Sequence, residues 1–129
     1  MNFGGKKVLN FEKKTGRSDA LIKDELIEWE QLEPGIRRKI MAHNEQLMLV
    51  KVAFKKGAIG TLHHHPHLQM SYVAEGAFEV TIDDEKQVLK TGDVFFAREN
   101  KIHGVVCLED GLLIDVFNPA REDFLEPKD

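Results

Sequence analysis

The chain reads as one all-β domain, an antiparallel sandwich or small barrel, with a polar N-terminal extension. Three observations predict this. Turn signals recur at short intervals from Lys56-Gly57 onward: Pro66, Glu75-Gly76, Asp83-Asp84, Thr91-Gly92, Glu99-Asn100 and Glu109-Asp110-Gly111. The runs between them alternate apolar and polar, as in Phe78-Glu79-Val80-Thr81-Ile82. No helix-length amphipathic pattern separates them, which leaves short strands joined by turns.

Residues 1–25 form the expected arm and 26–129 the barrel domain. The arm is polar, with Gly4-Gly5, Lys6-Lys7, Lys13-Lys14 and Gly16, but Val8-Leu9 and Phe11 are apolar enough to add a strand to a sheet edge, such as a partner subunit's. A short helix is expected between Ser18 and Glu28, capped at Ser18 or Asp19. Ile27 to Leu32 alternates as a half-buried strand does, with Ile27, Trp29 and Gln31 on one side. Glu33-Pro34-Gly35 is a turn. Ile36 to Met41 follows as a strand with a basic face, and Leu47 to Phe54, apolar almost throughout, as a strand covered on both sides. Pro119 to Leu125 closes the domain with a short helical turn.

At 129 residues the chain buries about two-thirds of its unfolded surface and needs no metal merely to fold. A formal charge of −4 with interspersed signs offers no basic stripe to a phosphate backbone, so nucleic acid is excluded as a partner. No apolar run approaches the roughly 20 residues of a membrane span, and no signal-peptide core is seen, so the cytoplasm is the expected compartment. The single cysteine, Cys107, lies in the apolar run Val105 to Leu108 and reads as a core thiol.

The chemistry is concentrated in His63-His64-His65-Pro66-His67-Leu68-Gln69, which holds four of the six histidines. In an extended chain His63 and His65 share a face and His64 takes the other. If Pro66-His67-Leu68 turn the chain, the Gln69 carboxamide comes back beside both imidazoles. Neutral imidazoles and a carbonyl oxygen suit a borderline divalent first-row ion: nickel, zinc, iron, manganese or cobalt. The only later histidine is His103.

With His103 the pattern resembles the cupin superfamily. Its first motif spaces Gly, His-x-His, Glu and Gly as Gly57, His63, His65, Gln69 and Gly76 are spaced here, with glutamine for glutamate. Its second motif falls on Gly92, Arg98, Asn100 and His103, with Arg98 for proline and Asn100 for glycine. Asparagine tolerates the left-handed conformation of that turn. The resemblance spans roughly residues 45–118. It implies a single cupin barrel, a double-stranded β-helix or jelly roll, holding one divalent transition metal on His63, His65, Gln69 and His103. The neutral carboxamide leaves the ion a charge of about +2, a stronger Lewis acid and a better anchor for an anionic substrate.

Asp115 interrupts the apolar strand Leu112 to Phe117. Burial raises a carboxyl pKa toward the range useful to a general acid or base, whereas pairing with Arg38 or Arg121 would make it structural. The run from Leu108 to Leu125, together with His63 to His67 and Gly35 to Lys39, narrows the resemblance to the KdgF group of cupins. Members of that group are held to convert 4,5-unsaturated monouronates, released in pectin and alginate breakdown, into linear keto-sugar acids. The resemblance implies Asp115 and Phe117 as catalytic residues and a small anionic sugar as substrate, with Arg121 or Arg38 pairing with its carboxylate; Arg121 stands with Asp115 and Phe117 among the catalytic candidates. A cupin dioxygenase and a non-catalytic metal- or sugar-binding cupin are the alternatives. A homodimer is expected from the small barrel and its arm.

Overall fold

The computed structural model describes residues 16–126, so the apolar residues of the arm, Val8, Leu9 and Phe11, lie outside the described residues. Among the described residues eight strands form one antiparallel sheet that curls on itself: β1 (Glu30–Glu33), β2 (Ile36–His43), β3 (Met48–Phe54), β4 (Ile59–His63), β5 (Leu68–Ile82), β6 (Glu85–Lys90), β7 (Val94–Ala97) and β8 (His103–Asn118), followed by the short helix α1 (Glu122–Leu125). The order is β1-β2-β3-β8-β5-β6, with β4 also pairing β8 and β7 also pairing β5. Among the described residues no helix is long and apolar enough to cross a membrane.

Several elements depart from the sequence reading. The helix expected between Ser18 and Glu28 is only a 3-10 turn, Asp24–Leu26. The apolar residues of that segment do not reach the core: Leu21 is 90% exposed and none of Asp24–Leu26 is buried. Instead it is tied to the sheet by polar contacts, with Ser18 N donating to His43 O and the Asp24 carboxylate held by Lys39 Nζ at 3.1 Å and Lys51 Nζ at 3.0 Å. The first strand starts later than expected, at Glu30. The basic face of β2 is not a solvated one: Arg38 and Lys39 are buried, Arg38 Nε donates to Glu30 at 2.8 Å, and Arg37 and Lys39 lie over the Trp29 ring. Strand β3 is buried on one face and half-buried on the other.

The larger difference concerns Glu75-Gly76 and Glu109-Asp110-Gly111. Neither ends a strand. Both are bends inside β5 and β8, whose ladder runs from Leu68↔Asn118 to Ile82↔His103 and slips register between Val73 and Phe78. The slip moves the inward-facing set of β5 from Gln69, Ser71 and Val73 to Phe78 and Val80, the re-phasing a bulge produces. An unbent strand from Gln69 to Ile82 would run about 43 Å. The doubled-over ladder instead brings the His103 end of β8 within contact of Gln69. Below the bend lies the main core of Phe54, Val73, Phe78, Val80, Val105, Cys107 and Leu113, with Phe54 and Phe78 edge to face at 5.2 Å. Cys107 is a buried member of it and burial pushes its thiol pKa up, as befits an inert thiol. A second cluster, Met48, Val50, Phe117 and Ala120, backs the other end.

Gly76 makes the bend possible. Its φ is +85°, and a Cβ there would stand 2.5 Å from Asp110 O and 2.7 Å from Gly111 Cα. Gly57 also has a positive φ, +88°, but open space around it. Gly76→Ala should therefore cost about 3 kcal/mol, from backbone strain plus collision, and Gly57→Ala about 1 kcal/mol from strain alone. Urea unfolding of the two variants checks the order; equal losses would show that the close approach of β5 and β8 carries no weight.

Candidate metal centre and the carboxylate beside it

Each imidazole is aimed by its own backbone neighbourhood. His63 ends β4, His103 opens β8, and the two are Cα partners across the β4–β8 ladder. His65 follows on the turn into β5, and His64 is exposed. The Nδ1 atoms of His63, His65 and His103 face the carbonyl oxygens of Thr61 at 2.7 Å, His67 at 3.0 Å and Lys101 at 2.8 Å. A carbonyl oxygen only accepts, so each Nδ1 carries the proton, and in a neutral ring Nε2 is left with its lone pair. One ligand atom from each ring lies within 4.8 Å of the others.

Gln69 completes the convergence. Its Oε1 stands 3.0 Å from His65 Nε2 and 3.1 Å from His103 Nε2. Its Nε2 points away and donates to Ser71 Oγ at 3.0 Å, and Ser71 Oγ donates to Asp115 Oδ1 at 2.6 Å. Imidazole lone pairs and an amide oxygen thus face one another at contact distance. Such a set repels unless a cation lies among them, and its neutral N and O donors suit a first-row divalent ion. Burial holds the imidazolium form of His65 and His103 down, the pKa of His103 to about 4, so protons compete weakly for these two sites. Asn100, at φ +60°, takes the left-handed turn its position demanded, and its N–H donates to His65 O at 2.8 Å.

A cupin-domain family model matches residues 50–117, the segment that contains all of these groups. This chain belongs to the cupin family. It is 55% identical to the pectin degradation protein KdgF of Dickeya dadantii over 104 residues, 79% of this chain and 94% of that protein. Among solved structures it is similar to an RmlC-like cupin from Shewanella frigidimarina, with 45% identity, a TM-score of 0.83 and coverage of 84% of this chain and 98% of that one. It is likewise similar to KdgF from a Halomonas species, with 46% identity, a TM-score of 0.80 and coverage of 83% and 99%.

In this cupin the sequence-identified acid lies on the inward face of β8, in line with Leu113 and Phe117. Asp115 is buried and makes no ion pair with Arg38 or Arg121; Ser71 is its hydrogen-bond partner. Burial pushes its pKa up to about 6, against the opposing pull of the Ser71 hydroxyl and the Arg121 charge. Phe117 packs edge to face on His65 at 5.8 Å. Arg121 lies over the rings of Phe117 at 5.2 Å and Phe124 at 4.2 Å and is bound to Asp123 at 2.9 Å. Arg38 is set back, on Phe124 and committed to Glu30. His63 is exposed while His65 and His103 are buried, so the cluster opens to solvent on the His63 side. Ser71 is the residue that sequence reasoning passed over. Its signal was the period of two from Gln69, which places it on the same inward face.

An acid whose folded pKa is raised adds most to stability below its unfolded pKa, and that contribution is lost as pH rises through the folded value. Asp115 should therefore cost the metal-free cupin about 3 kcal/mol at pH 7. Asp115→Asn is expected to be more stable than wild type at pH 7 and close to it at pH 4. Paired urea titrations at the two pH values measure this, and a gap that does not change with pH would mean that burial leaves the carboxyl untouched.

Proposed function

We propose that this cupin converts 4,5-unsaturated monouronates into linear keto-sugar acids by ring opening and tautomerisation, with His63, His65, Gln69 and His103 holding a divalent ion and Asp115 carrying protons. The observation that carries the reading is a buried carboxylate with a raised pKa, linked through one hydroxyl to the Gln69 amide of the convergent ligand set. Kinship with proteins named for pectin degradation supplies the substrate class.

A divalent ion in this site would supply a Lewis acid toward the substrate carboxylate and ring oxygen. Asp115 takes the anomeric hydroxyl proton. As the carbonyl forms at the anomeric carbon, the bond from that carbon to the ring oxygen breaks and its electron pair stays on the oxygen, leaving an enolate across the former double bond. Protonation of the enolate at carbon gives the ketone, and Asp115, with a pKa near 6, is suited both to hold the proton and to return it. Phe117, packed edge to face on His65, would form an apolar wall of the pocket. Arg121 is near enough for its charge to act on Asp115 and His65 and retains N–H donors beyond those bound to Asp123, so its planar fork suits the uronate carboxylate; the charge of Arg38 does not act on either group in this way. A buried carboxylate beside the ligand set gives a proton-transfer reaction specific support and gives none to a dioxygenase or a purely sugar-binding cupin.

The test is the near-ultraviolet absorbance of an unsaturated uronate monomer, which should fall faster with metal-loaded protein than spontaneously and at the spontaneous rate after chelation. Asp115→Asn should lower turnover by about 10²- to 10⁴-fold with metal content unchanged. Wild-type rates in that variant would remove Asp115 from the reaction.

A further inference from the structure

Ser71 is fully buried and is used twice, accepting from Gln69 Nε2 at 3.0 Å and donating to Asp115 Oδ1 at 2.6 Å. We propose that Ser71 is a positioning residue that decides which end of the Gln69 carboxamide faces the imidazoles; the inference rests on the metal-centre reading above. A hydroxyl has one proton to give, and an ionised carboxylate can only accept it. Asp115 therefore fixes the Ser71 proton on its own side, and only lone pairs of Oγ are left toward Gln69. Lone pairs welcome an amide N–H and reject an amide oxygen. The oxygen is thereby turned toward Nε2 of His65 and His103, 3.0 and 3.1 Å away.

The two ends of a carboxamide are almost equal in size, so packing cannot choose between them and hydrogen bonding must. Rotated by half a turn, the side chain would fill the same space with two N–H groups aimed at the cation, and one ligand would be lost. Orienting partners of this kind typically matter about 10- to 100-fold in metal affinity. A carboxylate at the same position has two equivalent oxygens and no wrong end, so it would not need the serine. The requirement for Ser71 belongs to glutamine specifically.

That difference supplies the test. Metal-free wild type, Ser71→Ala, Gln69→Glu and the double variant are titrated with Co²⁺, following its visible d–d absorbance. Ser71→Ala should weaken Co²⁺ binding by about 10- to 100-fold with glutamine at position 69 and by no more than about threefold with glutamate. Ser71→Thr, which keeps the hydroxyl, should restore wild-type affinity. An equal loss in both backgrounds would make Ser71 a packing residue and overturn the proposal, as would no loss beside glutamine. Wild-type protein that fails to bind Co²⁺ would remove the metal centre itself, a result distinct from binding that ignores the serine. Should Ser71→Ala not fold, the same cycle with the nearly isosteric Ser71→Cys, whose sulfur is only a weak acceptor, decides the matter.

Discussion

The arrangement depends on a commitment made away from the centre: each of the three imidazoles has one nitrogen bound to a backbone carbonyl two residues off in sequence, at Thr61, His67 and Lys101. The other nitrogen is left pointing inward. Swinging a buried ring away would strand its N–H, at a cost of about 1–3 kcal/mol, so mutual repulsion of the lone pairs does not open the cluster. Burial, which makes charging His65 and His103 unfavourable, works in the same direction because a neutral ring is the ligand form. The site is thus organised by hydrogen bonds that an ion would not touch.

Local geometry alone would leave the ligands on separate parts of the chain. They meet because β5 and β8 double over where Gly76 and Gly111 approach each other. The consequence for side chains differs between the strands. Strand β8 is interrupted by the exposed bend Leu108-Glu109-Asp110 but returns to the same phase beyond it, so His103, Asp115 and Phe117 are all buried, whereas β5 changes phase so that Gln69 and Ser71 at one end and Val80 at the other are all buried. The Phe54–Phe78 core beneath the bend gives the doubled ladder something to close upon.

This explains which parts were legible in the sequence. His63 and His65 announce a shared face by alternation, and Asp115 stands out as the lone acid in an apolar strand; both signals are local. Gly76 and Gly111 announce a break in regularity but not whether the ladder continues past it, because that depends on a partner strand far away in sequence. Where Arg121 and Arg38 lie was illegible for a related reason: both stack on Phe124, Arg38 from a strand far away in sequence, while Asp123 and Glu30 hold their guanidinium groups. The failed helix after Ser18 had a capping signal, but Leu21 is 90% exposed and none of Asp24–Leu26 is buried, and a cap alone cannot hold a helix that packs on nothing.

The distribution of charges around Asp115 bears most directly on its role. A carboxylate bound to an arginine has its pKa pulled down and becomes a poor base near neutrality. Arg121 is close enough to pull on Asp115, yet its guanidinium is bound in two places to the exposed Asp123 and lies against two aromatic rings. Asp115 is left with a single neutral donor, the Ser71 hydroxyl, and burial prevails. Had the chain paired Asp115 with Arg121, it would have gained a more stable apo barrel and lost a group able to take a proton from a hydroxyl and give it back. The separation of the two charges, each with its own partner, is what the proposed proton-carrying role of Asp115 requires.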